Sequence, residues 1–421
     1  MYKYLKKQIS LKEFKKLISI ILDQGFVSLS TFLISVVFAN NFDKMDYANF
    51  ILLSSIAMTI LGFQRAIITQ PFAINFSDYI GVEKTKYFNY NVFLKIIFNI
   101  CLLLIFPFYI YIKGFDNDLF ASLTLFFYVL TFTSYFFVKD MFISSRQTKK
   151  ALFFGSSISV LILLFLAFVK FYGIINFQSI ILSLSFIYLL AFVVFFFFKK
   201  KTISLNYSLK NNFLKNNWIV GKWIVGSNLL YSIFAQGTPW IILYLLSKQD
   251  VAIYGVLISI TSLVNPILKS INSYLLPLFS SYRMQIDLLK SKFLFWEIIF
   301  LIIAVALVVF GVIFGEFLVS AVFGSKYANL GCIVILSFVN QSINVLFLPV
   351  DIVINSLKRT DLVFFTAFLR MILSLILAYI FISNYGLIGV FIARIIENLI
   401  YQLILSIKAL ATMNTFSAKN L

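Results

Sequence analysis

The chain reads as a succession of long apolar stretches separated by short polar breaks. It shows neither the strict alternation of a half-buried strand nor the single apolar stripe of a soluble amphipathic helix. A helix needs about 20 predominantly apolar residues to cross the hydrocarbon core of a bilayer, because its backbone must satisfy its own hydrogen bonds there. Twelve runs meet that length: residues 17–40, 47–72, 92–112, 119–138, 151–169 and 174–198, then 223–246, 251–276, 295–319, 330–353, 362–382 and 387–407. They predict an all-α, polytopic membrane protein of twelve transmembrane helices in two parallel six-helix lobes, 1–201 and 202–421. Every connection is short, which leaves no soluble domain or long external loop for catalytic carboxylates, so enzymatic chemistry is not expected.

Composition supports the same class. Of 421 residues, 61% are hydrophobic and only 12% are charged, against about 25% charged in a typical soluble domain. The net charge of +19 would suggest nucleic acid in a soluble protein, but here the lysines lie between apolar runs, so no nucleic-acid partner is expected. They read as topology signals and as attraction to anionic membrane lipids. Twenty-five of the thirty-five Lys and Arg fall on one alternating set of connections and the two terminal segments, and five on the other set. That asymmetry predicts both termini on the cytoplasmic side of a bacterial cytoplasmic membrane. The basic segment before residue 17 precedes a run too long for a signal peptide, so that run is expected to be an uncleaved first span.

The chain contains no histidine and two cysteines, Cys101 and Cys332, both in apolar runs. A disulfide framework, a Cys/His zinc site and a histidine proton relay are therefore excluded, and neither metal nor cofactor is expected.

The two halves repeat each other. Lys44-x-Asp46-x-Ala48 aligns with Lys248-x-Asp250-x-Ala252 at an offset of 204, which continues through Ser55 and Ser259. Asp140-x-x-Ile143-x-Ser145 aligns with Asp351-x-x-Ile354-x-Ser356 at 211, and Tyr172-Gly173 with Tyr385-Gly386 at 213. With six spans each, both halves enter the membrane from the same side. Transporters use such parallel repeats to hold a site between moving halves.

Asp23-Gln24-Gly25 with Ser28 and Phe32, Asp46-Tyr47, Gln64 and Gln70-Pro71-Phe72 form one set of landmarks. Gly221-Lys222-Trp223, Gln236, Pro239-Trp240, Asn265-Pro266 and Leu276-Pro277 form another. Phe323-Gly324-Ser325-Lys326-Tyr327-Ala328 and Asn384-Tyr385-Gly386-Leu387-Ile388-Gly389 complete the series. On these residues the chain resembles the polysaccharide and lipopolysaccharide flippases of the MOP superfamily, the Wzx-type oligosaccharide-lipid exporters. The lipid II flippases of that superfamily have two further helices, absent here, and multidrug exporters share its architecture. The resemblance implies a central cavity, alternating access and a polyprenyl pyrophosphate oligosaccharide as cargo for O-antigen or capsule synthesis. It implies a monomer, with H⁺ or Na⁺ as a possible coupling partner. A MATE-like exporter of small amphipathic molecules and a membrane glycosyltransferase or polymerase are the alternatives.

A charge at mid-bilayer costs about 2.5–3.5 kcal/mol even on the lenient insertion scale, so each one needs a partner, water or a function. Arg370 and Arg394 lie near the middle of spans eleven and twelve. They are candidates for a cationic wall that holds the phosphates of the carrier, or for structural pairs, with Glu397 placed to neutralise Arg394. Arg65 and Lys269 occupy equivalent positions in the two halves and are candidates for the same cationic lining, or for side chains that snorkel to the inner interface. Asp23 and Gln24, two turns into the first span, are candidates for binding a coupling ion or for interfacial hydrogen bonding. Asp140 beside Arg146, and Asp351 beside Lys358 and Arg359, are candidates for gate or anchor salt bridges at the inner ends of spans four and ten.

Overall fold

The computed structural model describes residues 11–76, 79–113, 119–145, 147–172, 176–199, 213–282, 285–357 and 359–419. Arg146 and Lys358 lie outside them. Among the described residues the protein is helical with no strand: α1 (Leu11–Asn41), α2 (Lys44–Asn75), α3 (Gly81–Lys113), α4 (Leu119–Ser144), α5 (Thr148–Tyr172) and α6 (Phe177–Lys199) come first. There follow α7 (Phe213–Leu245), α8 (Lys248–Thr261), α9 (Asn265–Ser281), α10 (Ile286–Phe323), α11 (Cys332–Leu346), α12 (Leu348–Ser356) and α13 (Thr360–Lys419). Ten stretches among the described residues are long and apolar enough to cross a membrane. One of them, Leu362–Asn414, is 53 residues long and would overrun the bilayer as one rod. It breaks at Gly386, whose φ of 58° is open to glycine. Gly389 matters for a second reason: a Cβ there would strike the carbonyl oxygen of Phe381.

The first repeat landmark is a pair of helix caps. Asp43 Oδ1 accepts the backbone N–H of Asp46 at 2.7 Å at the start of α2. Ser247, its equivalent, caps α8 by accepting the N–H of Asp250 at 3.2 Å.

The span after each cap is then interrupted next to a proline, in opposite ways. In α2, Arg65–Thr69 form a π-helical turn just before Pro71. Between α8 and α9, Ser262–Val264 form a 3-10 turn just before Pro266. Proline supplies no N–H and crowds the preceding turn, so the ladder either widens or tightens there.

The chain divides into two compact units. The first joins the chain up to Ile34 with Leu52–Ser232. The second joins Ser35–Ile51 with Ile233–Leu421.

In the first unit the apolar core runs through Ile68, Phe72, Tyr87, Phe137, Met141 and Phe195. Here α4 packs against α6, with Tyr188 ringed by Tyr128, Phe132 and Tyr135 at centroid distances of 5.3–6.1 Å. The buried hydroxyls of Thr131 and Ser134 return to their own helix, donating to the carbonyls of Phe127 (2.9 Å) and Leu130 (2.7 Å). They therefore cost little inside the bilayer. An asparagine cluster holds the start of α7: Asn217 accepts from Tyr87 Oη at 2.6 Å and donates to Asn91 at 3.3 Å.

In the second unit, Gly311 and Gly315 on α10 let α11 approach closely. A Cβ at Gly311 would lie 2.5 Å from Phe338 Cγ, and one at Gly315 would lie 2.8 Å from Val334 Cγ1. This is the small-xxx-small packing of membrane helices. The corner of residues 35–51 belongs to this unit through specific contacts. Ser35 shares hydrogen bonds with Tyr47 (2.7 Å) and Ser259 (2.9 Å). Asn40 donates to the carbonyl of Val322 at 2.9 Å, and Lys326 donates to the carbonyl of Phe42.

Candidate functional site

Each unit carries its own cluster of charges within the spans. In the first unit the cluster is a compact quartet on α1, α2 and α4. Lys139 Nζ lies 2.9 Å from Asp23 Oδ2, and the two side chains are 2% and 1% exposed. The next residue along α4, Asp140, is gripped by Arg65: Nε donates to Oδ2 at 2.7 Å and Nη2 to Oδ1 at 3.2 Å. Thr69 adds a third donor at 3.4 Å.

The π turn explains this geometry, because it begins at Arg65 and carries Thr69, so both reach one carboxylate. Gly155 on α5 makes room for the other carboxylate, since a Cβ there would collide with Asp23 Oδ1. Gln24, beside Asp23 on α1, is half-buried.

On sequence grounds Lys139 counts with the inner connection, and the structure corrects that assignment: it is buried and ion-paired. Its signal is the Lys139-Asp140 dipeptide ending a span at the depth of Asp23. A second lysine that sequence reasoning leaves without a role is Lys95. It is fully buried and donates to Gln64 Oε1 (2.5 Å) and Thr133 Oγ1 (3.2 Å), with the Phe98 ring 5.3 Å away. Nothing in sequence marks neutral partners that lie 31 and 38 positions away.

The second unit's cluster mixes charged and neutral groups. Arg370, on the first arm of α13, donates through Nη2 to Asn398 Oδ1 and stacks over the Tyr401 ring at 4.8 Å. Asn398 in turn donates to Asn340 Oδ1 on α11 at 2.8 Å. Arg394, on the second arm, donates to Thr238 Oγ1 at 2.5 Å and stacks over Tyr254 at 5.7 Å.

Glu397 lies in the field of Arg394, as its spacing suggests, and its carboxylate also stands 3.7 Å from Arg370 Nη2. The i,i+3 spacing sets Arg394 and Glu397 on one face but says nothing of the cation that the other arm of the hairpin brings to the same carboxylate. Asp351 on α12 stands near Gln402 and lies in the field of Arg370. Arg359 closes α12 through its backbone N–H, which donates to the carbonyl of Ile354 at 3.2 Å. Lys269 is exposed.

Of the expected site residues, the structure thus brings Arg65 to Asp140 in one unit, and Arg370 to Glu397 in the other. Among the described residues no group of His, Cys, Asp and Glu is placed to hold a metal ion.

A family described as polysaccharide biosynthesis protein matches residues 47–331. Comparison with curated proteins finds no match. Among solved structures, an inward-facing multidrug resistance MATE family transporter of the MOP superfamily is similar over 98% of this chain and 97% of that one, with a TM-score of 0.73 at 15% identity. An outward-facing MATE family transporter of the same superfamily is similar over 96% and 95%, with a TM-score of 0.61 at 15% identity. A MOP superfamily transporter from Pyrococcus furiosus, described as having a binding pocket of reversed polarity, is similar over 96% of both chains, with a TM-score of 0.64 at 15% identity. At such identity these likenesses show the fold, and the fold is that of MOP-superfamily transporters.

Proposed function

The chain belongs to the polysaccharide biosynthesis protein family, and from that premise we propose that it is a flippase for a lipid-linked oligosaccharide in a bacterial cytoplasmic membrane. The carrier's phosphates enter from the inner leaflet and are held by guanidinium groups while the lipid tail stays among acyl chains. Alternating access then releases the glycan on the outer side, and no covalent bond is made or broken.

The observation that carries this reading is the arginine pair of α13. Arg370 and Arg394 sit within the spans and lean on an amide, a hydroxyl and two aromatic rings, with Glu397 at a looser 3.7 Å from Arg370. A guanidinium so held keeps its charge while its planar fork matches phosphate oxygens. Lys269, exposed on α9, serves in the same proposal as a cation nearer the inner mouth. Asp351 and Arg359 serve as its anchor at the inner end of α12, and Asp140 as that of α4.

In cells that make the glycan, loss of the protein should accumulate the lipid-linked oligosaccharide and deplete the surface polysaccharide. Wild-type protein should restore both, and Arg370→Ala should not. Unchanged intermediate and surface glycan levels on loss of the protein would refute the proposal.

The likeness of fold to multidrug resistance transporters favours a second reading, export of small amphipathic molecules. That reading predicts raised sensitivity to such compounds, with no change in the lipid-linked pool.

A further inference from the structure

We infer that Lys139 is the resident counter-ion of Asp23, and that it closes this buried carboxylate to exchangeable sodium. A carboxylate two turns into a membrane span invites a coupling cation when it stands alone. Here the position of that cation is already taken by a covalently tethered one.

The Lys139 ammonium carries the single positive charge that Na⁺ would bring, at 2.9 Å, and neither side chain has more than 2% exposure. An attached partner competes at an effective concentration far above that of a dissolved ion. Sodium would have to expel the ammonium into surroundings that offer it no water.

The neighbourhood opposes an added charge in a second way. Asp140, one residue along, is satisfied by Arg65 and Thr69. Asp23, Lys139, Asp140 and Arg65 therefore sum to zero, and an extra cation would leave the quartet unbalanced in a medium of low dielectric. The third feature is steric. The backbone of α5 at Gly155 lies so close to Asp23 Oδ1 that not even a methyl group fits between them, which limits the space for an ion on that side.

Lys139 is thus a specificity-determining residue: it sets what Asp23 accepts without touching any cargo. The inference is independent of the flippase reading and holds for whatever the protein carries.

The probe is Na⁺ itself, as radioactive sodium at equilibrium with the purified full chain, with choline replacing it at constant ionic strength. Wild type and Asp23→Asn should bind the same amount. Lys139→Ala should gain a single Na⁺ per chain, and Asp23→Asn in that background should abolish the gain. Wild-type binding that Asp23→Asn removes would overturn the inference, as would a folded Lys139→Ala protein that gains nothing. If Lys139→Ala does not fold, the comparison of wild type with Asp23→Asn decides alone.

Discussion

The two units treat the same acid differently. Asp140 and Asp351 occupy equivalent places in the repeat. In the first unit, Asp140 is clamped by Arg65 in a two-pronged ion pair, with a second ion pair, Lys139–Asp23, beside it. In the second, Asp351 stands near the neutral Gln402, while the nearby arginines rest on Asn398, Thr238 and aromatic rings and face Glu397. One cluster is a set of matched opposite charges brought into direct contact, which rigidifies. The other shares one carboxylate, Glu397, between the fields of Arg370 and Arg394, and adds an amide, a hydroxyl and aromatic rings as neutral supports. A duplicated bundle has thus kept its acid in both halves and changed the acid's neighbours. The difference fits the proposal in which the first unit anchors and the second binds.

The sharpest way to break this comparison is to remove one member of the closed pair. Lys139→Ala leaves the Asp23 carboxylate buried and unpaired, and should cost about 3–5 kcal/mol of stability. Thermal unfolding in detergent, without Na⁺, reads the loss. Adding Asp23→Asn should recover much of it, and a double variant as unstable as the single would show that the pair matters little.

Arg370→Ala should cost less stability, about 2–3 kcal/mol from stranding Glu397, yet abolish glycan export. Arg370→Lys, which keeps the charge but loses the fork, should restore the stability more fully than the export. Equal recovery of both would make Arg370 a mere structural cation.

Gly155→Ala should cost about 1–3 kcal/mol by overpacking against Asp23. In the second unit, Gly311→Ala should cost a similar amount against Phe338, measured by the same unfolding assay.

The smallest and most discriminating effect concerns the repeat-related cations. Arg65→Gln should cost about 1–2 kcal/mol, at the low end because Arg65 is 39% exposed, while Lys269→Gln should stay within about 0.5 kcal/mol. Equal losses would erase the distinction between the units.

Much of the architecture was legible without coordinates, for a definite reason. In a bilayer, segment length and apolarity dictate helix formation one span at a time, so the twelve runs could be read in order. Among the described residues a helix lies along each of them, including the stretch of α13 that turns at Gly386 and the pairs α8–α9 and α11–α12 that break near Pro266 and before Pro349. The repeat of Lys44-x-Asp46-x-Ala48 at Lys248-x-Asp250-x-Ala252 was visible too, and it marks the first turns of two capped helices.

Which charge meets which was not legible. Asp23 and Lys139 are 116 positions apart and Arg394 and Thr238 are 156 apart, and no local pattern couples them. Arg65 and Lys269 look equivalent at an offset of 204, but a π turn begins at the first and a 3-10 turn precedes the second. Widening one helix and tightening the other rotates each later turn to a different register. The sequence by itself therefore determined the spans, the repeat and the residues that carry charge into the membrane. The partners of those charges were decided only by tertiary packing, because helix rotation and close approach at glycine depend on neighbours far along the chain.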